Sequence, residues 1–270
     1  MLVNLRRLFR YRGLIQTLVA RELKARYRGS VLGFFWSFAN PLLLLLVYTF
    51  VFSVILPGFR GGDLEPYALF LFCGLLPWTW FSSALLESSN VLIANGNLIK
   101  KVMFPAEILP IVSVLSNMFH FFFAIPVLTL FLLFYGLNGQ LPGTINFTEL
   151  IWLPVVVMVQ FLLTLGFGLI LAALTVHFRD LKDLLGNLLT LWFFATPIIY
   201  PMSMLPSGGK FLMDLNPMAH LAISYQEILF YDGPFGHWKW LIVLAILAVG
   251  LTLLGYALFD RLRDSFAEEV

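Results

Sequence analysis

Charge is what this 270-residue sequence has least of. Only 12% of its residues are Asp, Glu, Lys or Arg, where a soluble domain carries about 25%. With 60% hydrophobic residues and a mean hydropathy of +0.89, the chain has too little polar surface to cover a fold in water. A soluble enzyme, a nucleic-acid binder and a disordered scaffold are excluded on that ground. Cysteine occurs once, as Cys73 in an apolar run, so no intrachain disulfide is possible and packing is its expected role. A G-x-x-x-x-G-K-[ST] phosphate loop is missing: the only Gly-Lys pair, Gly209 and Lys210, is followed by Phe211, so the chain does not bind ATP by that route. There is no H-E-x-x-H, and His120, His177, His220 and His237 are too scattered to suggest a metal cluster. No serine stands in a G-x-S-x-G setting. The sequence carries no positive enzyme signal, and no catalytic or metal-ligating residue is expected.

What is abundant is long apolar runs. Leu32 to Leu56 is 25 residues without a charge, longer than the about 7–15 residues of a signal-peptide core and enough to cross the bilayer, for which about 20 suffice. Similar runs extend over Tyr67–Ile93, broken only by Glu87, over Ile108–Tyr135 and over Leu150–Val176. A shorter one covers Leu184–Tyr200, and the last, Trp240–Phe259, is followed by the charged string DRLRDSFAEEV. The expected fold is therefore an all-α integral membrane protein with six transmembrane helices. Between the fifth and sixth lie about forty residues, too apolar for an external loop and too broken by Pro and Gly for a span; short re-entrant helices are expected there, bordering protein or a water-filled pathway.

Orientation follows from the basic residues, which are retained on the cytoplasmic side. Eight of the seventeen Lys and Arg precede Val31, opposed only by Glu22. With both termini inside, Lys100, Lys101, Arg179, Lys182, Arg261 and Arg263 join them, and only Arg60, Lys210 and Lys239 fall outside. Both termini are thus expected to be cytoplasmic. In the first thirty residues Leu8, Tyr11, Ile15, Leu18, Val19, Leu23 and Tyr27 recur at helical spacing between basic residues, the pattern of an amphipathic helix on the inner leaflet that Gly13 can bend. The expected organisation is an interface helix over residues 1–30, a six-helix transmembrane domain over 31–260 and a cytoplasmic tail over 261–270.

Four strings occur in order: RELKARYRGSVLGFFWSFANPL from Arg21, NGNLIKKVMFPAEILP from Asn95, HFRDLK from His177, and TPIIYP followed by NPMAHL at Asn216. Together they resemble the membrane subunit of polysaccharide ABC exporters, the type-2 ABC exporters that serve O-antigen, capsule and teichoic acid, over Arg21 to Leu258. The resemblance implies a plasma (inner) membrane half-transporter that pairs with a second copy of itself and with two copies of a separate ATPase subunit. ATP and Mg would then sit on that partner, with no cofactor on this chain, and the substrate would be a lipid-linked polysaccharide. It also implies ATPase contacts through Arg21, Glu22, Lys24, Arg26 and Arg28, through a short helix over Asn95–Phe104, and through the link holding Arg179, Asp180 and Lys182. Only eleven residues follow the sixth span, so no carbohydrate-recognition domain is expected on this chain. The alternatives are a type-2 exporter of small lipids or drugs and a polytopic membrane enzyme acting on a lipid-linked sugar.

In the order N-G-N-L-I-K-K-V-M-F-P, Gly96 can end one helix and Pro105 can open the next. Between them Asn97, Leu98, Ile99, Lys100, Lys101, Val102 and Met103 form an expected ATPase-docking helix with an apolar knob. Glu87 and Glu107 are ionisable groups in or near apolar spans, where such groups face protein or water. Pairing with Arg26, Arg28 or Lys101 and a role in a cytoplasmic gate are both open for them. Among the aromatics, 16% of the chain, Trp152, Trp238 and Trp240 suit an interfacial belt. Phe34, Trp36, Tyr48, Trp78, Trp192 and Phe193 are candidates for a glycan pathway, because flat ring faces can stack weakly on sugars that pass.

Overall fold

A computed structural model describes residues 11–26, 28–31, 33–55, 64, 66–101, 105–138 and 148–269. The expectations placed on Leu8, Tyr27, Leu32, Leu56, Arg60, Val102, Met103 and Phe104 lie outside the described residues, as do the side chains of Phe34, Lys101 and Lys210.

The described chain is all-helical. Helices are α1 (Arg12–Arg26), α2 (Trp36–Phe50), α3 (Tyr67–Ala94), α4 (Gly96–Lys101), α5 (Ile108–Leu137), α6 (Leu153–His177), α7 (Leu181–Phe194), α8 (Ser207–Asp214), α9 (Pro217–Leu229), α10 (Trp238–Leu262) and α11 (Phe266–Glu269). Four of them, α3, α5, α6 and α10, are long and apolar enough to cross a membrane. The other two expected spans are shorter. Helix α2 has 15 residues and continues as a five-residue π segment, Val51–Ile55. Helix α7 has 14 residues, about 21 Å at about 1.5 Å per residue, and does not reach Tyr200 as expected. It stops at Phe194, where Ala195 turns away at φ −81° and ψ 5°, and Pro197 two residues on cannot continue a helix.

Helix α3 is the centre of the bundle. Phe70, Leu71, Phe72, Phe81 and Ala84 are inaccessible to solvent, with α5, α6, α9, α7 and α2 packed around them. The buried amides of Gln160 and Gln226 donate to the Pro77 and Pro197 carbonyls at 2.8 and 3.0 Å, so α6 is tied to the interior of α3 and α9 to the segment that follows α7. Helix α10 lies against α6 through glycines. A Cβ on Gly255 would sit 2.6 Å from the Gly166 carbonyl oxygen, and one on Gly166 would sit 2.8 Å from Leu251 and Thr252 backbone atoms. Close approach of this kind lets dispersion contacts hold helices that gain nothing from a hydrophobic drive inside lipid.

The links carry two corrections. Helix α3 ends on Asn95, whose side-chain amide donates to the Val91 carbonyl at 2.8 Å. Gly96 opens α4 and does not adopt the positive φ of a terminating glycine. Pro105 does not begin the next helix either: a turn through Ala106 and Glu107 intervenes, closed by Ile108 N–H to Pro105 at 3.0 Å. Between α1 and α2, Gly29 and Gly33 have φ of +80° and +49°, left-handed values that a side chain would oppose.

Candidate functional site

One end of the bundle gathers α1, α4, the α6–α7 link and α11. Helix α1 is docked on protein: Leu18 and Val19 are buried against Ile108 and Val112 at the start of α5. Arg26, at its end, forms an ion pair with Glu87 of α3. The second Glu87 oxygen accepts from Asn117 of α5 at 2.6 Å, so the one charge in the α3 run is met from two neighbouring helices. Of the pairings open for Glu87, the one with Arg26 is formed. Glu107 is 3% exposed, and its Oε2 has no hydrogen-bond partner among the described residues.

A cavity of about 410 Å³ opens here, and Arg21, Glu22, Glu87, Asn95 and Lys182 all line it. Residues from three of the four sequence strings thus meet around one space. Lys24 and Arg28 lie with Arg21 on an adjoining surface along α1 and just past its end. On α4, Asn97 and Lys100 are exposed, whereas Leu98 and Ile99 are half-buried. Of the expected apolar knob, Leu98 and Ile99 pack in part on the cluster of Leu92, Val176, Phe259 and Phe266 within the chain. Phe266, fully buried, belongs to α11, whose return beneath the bundle is fixed by His177 to Ser265 Oγ at 3.1 Å and by Arg179 donating to the Glu269 carbonyl at 3.0 Å. Asp180 is exposed beside Arg179.

The pathway candidates separate into three places. Trp36 lies over a groove between α2, α3 and α5, its indole N–H donating to Ser30 Oγ at 2.7 Å. Tyr48 stacks on Phe52. Trp78, Trp192 and Phe193 meet one another beside Phe81 and Phe167, with centroid separations of 5.2–6.4 Å. Trp192 is also committed structurally. Its N–H donates to Asn216 Oδ1 at 2.8 Å, while Asn216 Nδ2 reaches Ala195 and Thr196 and its Oδ1 caps α9 through Met218 N–H. The TPIIYP and NPMAHL strings are therefore two halves of one joint.

A histidine pair at the opposite end was not foreseen. His220 Nε2 donates to the Asp214 carbonyl, which leaves Nδ1 to accept from His237 Nε2 at 2.9 Å. His237 Nδ1 lies 3.8 Å from Glu227 Oε1. Burial is the main cause that pushes His237 down to about 4, with the neighbouring His220 acting in the same direction and Asp214 opposing it, so His237 is neutral at ordinary pH. Burial raises Glu227, although Gly236 and His237 backbone N–H groups oppose this. Seventeen residues separate the two rings, and no local pattern joins them.

The apolar bundle and the basic end define a polytopic α-helical membrane protein. Residues 13–230 match the family model described as ABC-2 type transporter, and the chain belongs to that family. It is 41% identical over 267 residues, 98% of each chain, to an O-antigen export system permease protein RfbA of Myxococcus xanthus. It is 35% identical over 256 residues, 94% of each, to a protein of the same name from Klebsiella pneumoniae. Against the polysialic acid transport protein KpsM of Escherichia coli it is 24% identical over 216 residues, 79% of this chain and 80% of the other.

Proposed function

We propose that the chain is the permease subunit of an ATP-driven exporter that moves a lipid-linked polysaccharide, of O-antigen or capsule type, from the cytoplasmic to the outer face of the inner membrane. The observation that carries this reading is the meeting of α1, α4 and the α6–α7 link at one basic end, continuous with the apolar bundle. The names of the full-length relatives supply the cargo. In this reading that end is cytoplasmic. Arg21, Lys24, Arg28, Asn97, Lys100, Arg179 and Lys182 face a separate ATPase, which binds ATP and Mg.

Six spans complete the half-transporter, with α2 plus its π segment as the first and α7 with the residues to Tyr200 as the fifth. Both carry exposed apolar side chains, Leu43, Val47 and Phe50 on α2 and Leu188, Leu191 and Phe194 on α7. These form the walls contributed to a dimer. Nucleotide binding acts by favouring one of two pathway states, which requires contacts that differ between them. The Arg26–Glu87–Asn117 bridge is the part that changes, because it joins the ATPase-facing helix to two core helices.

Native mass spectrometry of the permease co-purified with its candidate ATPase partner tests this reading. Two permease copies and two ATPase copies are expected, and a particle with one permease copy refutes the dimeric pathway.

A further inference from the structure

The groove over which Trp36 lies has a volume of about 440 Å³, inside the range of about 300–1,000 Å³ typical of small-molecule sites. Along α2 its lining runs from Trp36 to Leu44, about 12 Å at about 1.5 Å per residue. Its floor is apolar, but polar groups enter from each side: Ser37 and Asn40 from α2, Asn117 from α5 and Arg26 from the end of α1. In a lipid-embedded bundle such groups are retained only where something satisfies them.

We propose that this groove binds the sugar headgroup of a lipid, holding the first sugar of the lipid-linked glycan beside α2 before translocation. The inference rests on the function proposed above and assigns a site to it. Three observations converge. Ser37 is 3% exposed and its hydroxyl has no hydrogen-bond partner among the described residues, a costly state for a buried donor and acceptor unless a ligand meets it. The Trp36 ring is held in place through its N–H, leaving flat apolar faces of the kind that pack on pyranose C–H groups. The Arg26 charge is already met by Glu87. Recognition by this set therefore works through hydroxyl and amide hydrogen bonds and ring contact, which suits a neutral sugar better than a bare phosphate.

The test uses the full permease–ATPase complex in phospholipid nanodiscs and two probes: the lipid-linked glycan extracted from producing cells, and polyprenyl diphosphate without sugar. Wild type should bind the glycan lipid more tightly than the sugar-free lipid. Ser37→Ala and Asn40→Ala should each weaken glycan-lipid binding roughly 2–10-fold, the size of one net hydrogen bond, and leave sugar-free binding unchanged. Ser37→Ala should keep or raise the thermal midpoint, because it removes an orphaned hydroxyl, so a weaker affinity cannot be ascribed to misfolding. Equal wild-type affinity for the two probes overturns the proposal and makes the groove a general lipid site. Glycan-lipid binding that is strong in wild type and unaltered in both variants overturns the groove assignment alone. Failure of the wild-type complex to bind the glycan lipid at all refutes the proposed function together with this site.

Discussion

Single residues set how closely the helices approach. Gly255 and Gly250 both lie on α10, yet a Cβ at Gly255 would overlap the Gly166 carbonyl, whereas one at Gly250 would meet nothing within 4 Å. Gly255→Ala must push α10 from α6, and overpacking of this kind costs about 1–3 kcal/mol. Gly250→Ala keeps the contact and gains helix propensity. Thermal unfolding of the detergent-solubilised protein should show a lowered midpoint for the first and an unchanged or raised one for the second; equal midpoints would refute the close-contact argument. Asn216 is a second case in which one residue serves several helices, since its amide joins the end of α7 to the start of α9.

At the scale of elements, the four-residue α11 and the six-residue α4 are too short to be stable alone. They hold their places through packing, with Phe266 against Phe259 at 5.0 Å and Leu98 and Ile99 on the same cluster. The tail thus braces the proposed docking helix from inside, and α4 presents Asn97 and Lys100 outward. Truncating a fully buried phenylalanine costs about 3–5 kcal/mol. In Phe266→Ala this loss should fall on α11 and α4, speeding amide exchange of residues 96–101 by at least roughly tenfold. Asp264→Ala, at a side chain 95% exposed, should leave exchange unaltered. Protection of 96–101 that survives Phe266→Ala would show that the brace is not needed.

For the whole molecule, the proposed orientation puts α1, α4 and α11 on the cytoplasmic side and α8 with the His220–His237 pair on the outer side. Because Cys73 is 1% exposed, single cysteines can be introduced against a quiet background. Asn97→Cys should react with an impermeant maleimide only after the inner membrane is permeabilised, and Ser203→Cys, at an exposed position before α8, should react in intact spheroplasts. The reverse pattern would invert the topology.

Much of this architecture was legible in the chain. Membrane residence followed from scarce charge and long apolar runs, because composition alone decides which solvent a surface tolerates. The family resemblance followed from four strings read in order. The runs over Tyr67–Ile93, Ile108–Tyr135 and Leu150–Val176 lie within a few residues of helices α3, α5 and α6 with its leading turn. Contacts between segments distant in sequence were decided only by the tertiary structure. Leu98 and Ile99 read as an exposed knob because nothing local reveals that Phe266, more than 160 residues on, packs on the same cluster. The pathway aromatics read as one set because hydropathy does not record which helices adjoin, and the fold parts Trp36 from Trp192. Periodicity reports which face of a helix is apolar; the partner that covers that face is settled by three-dimensional packing.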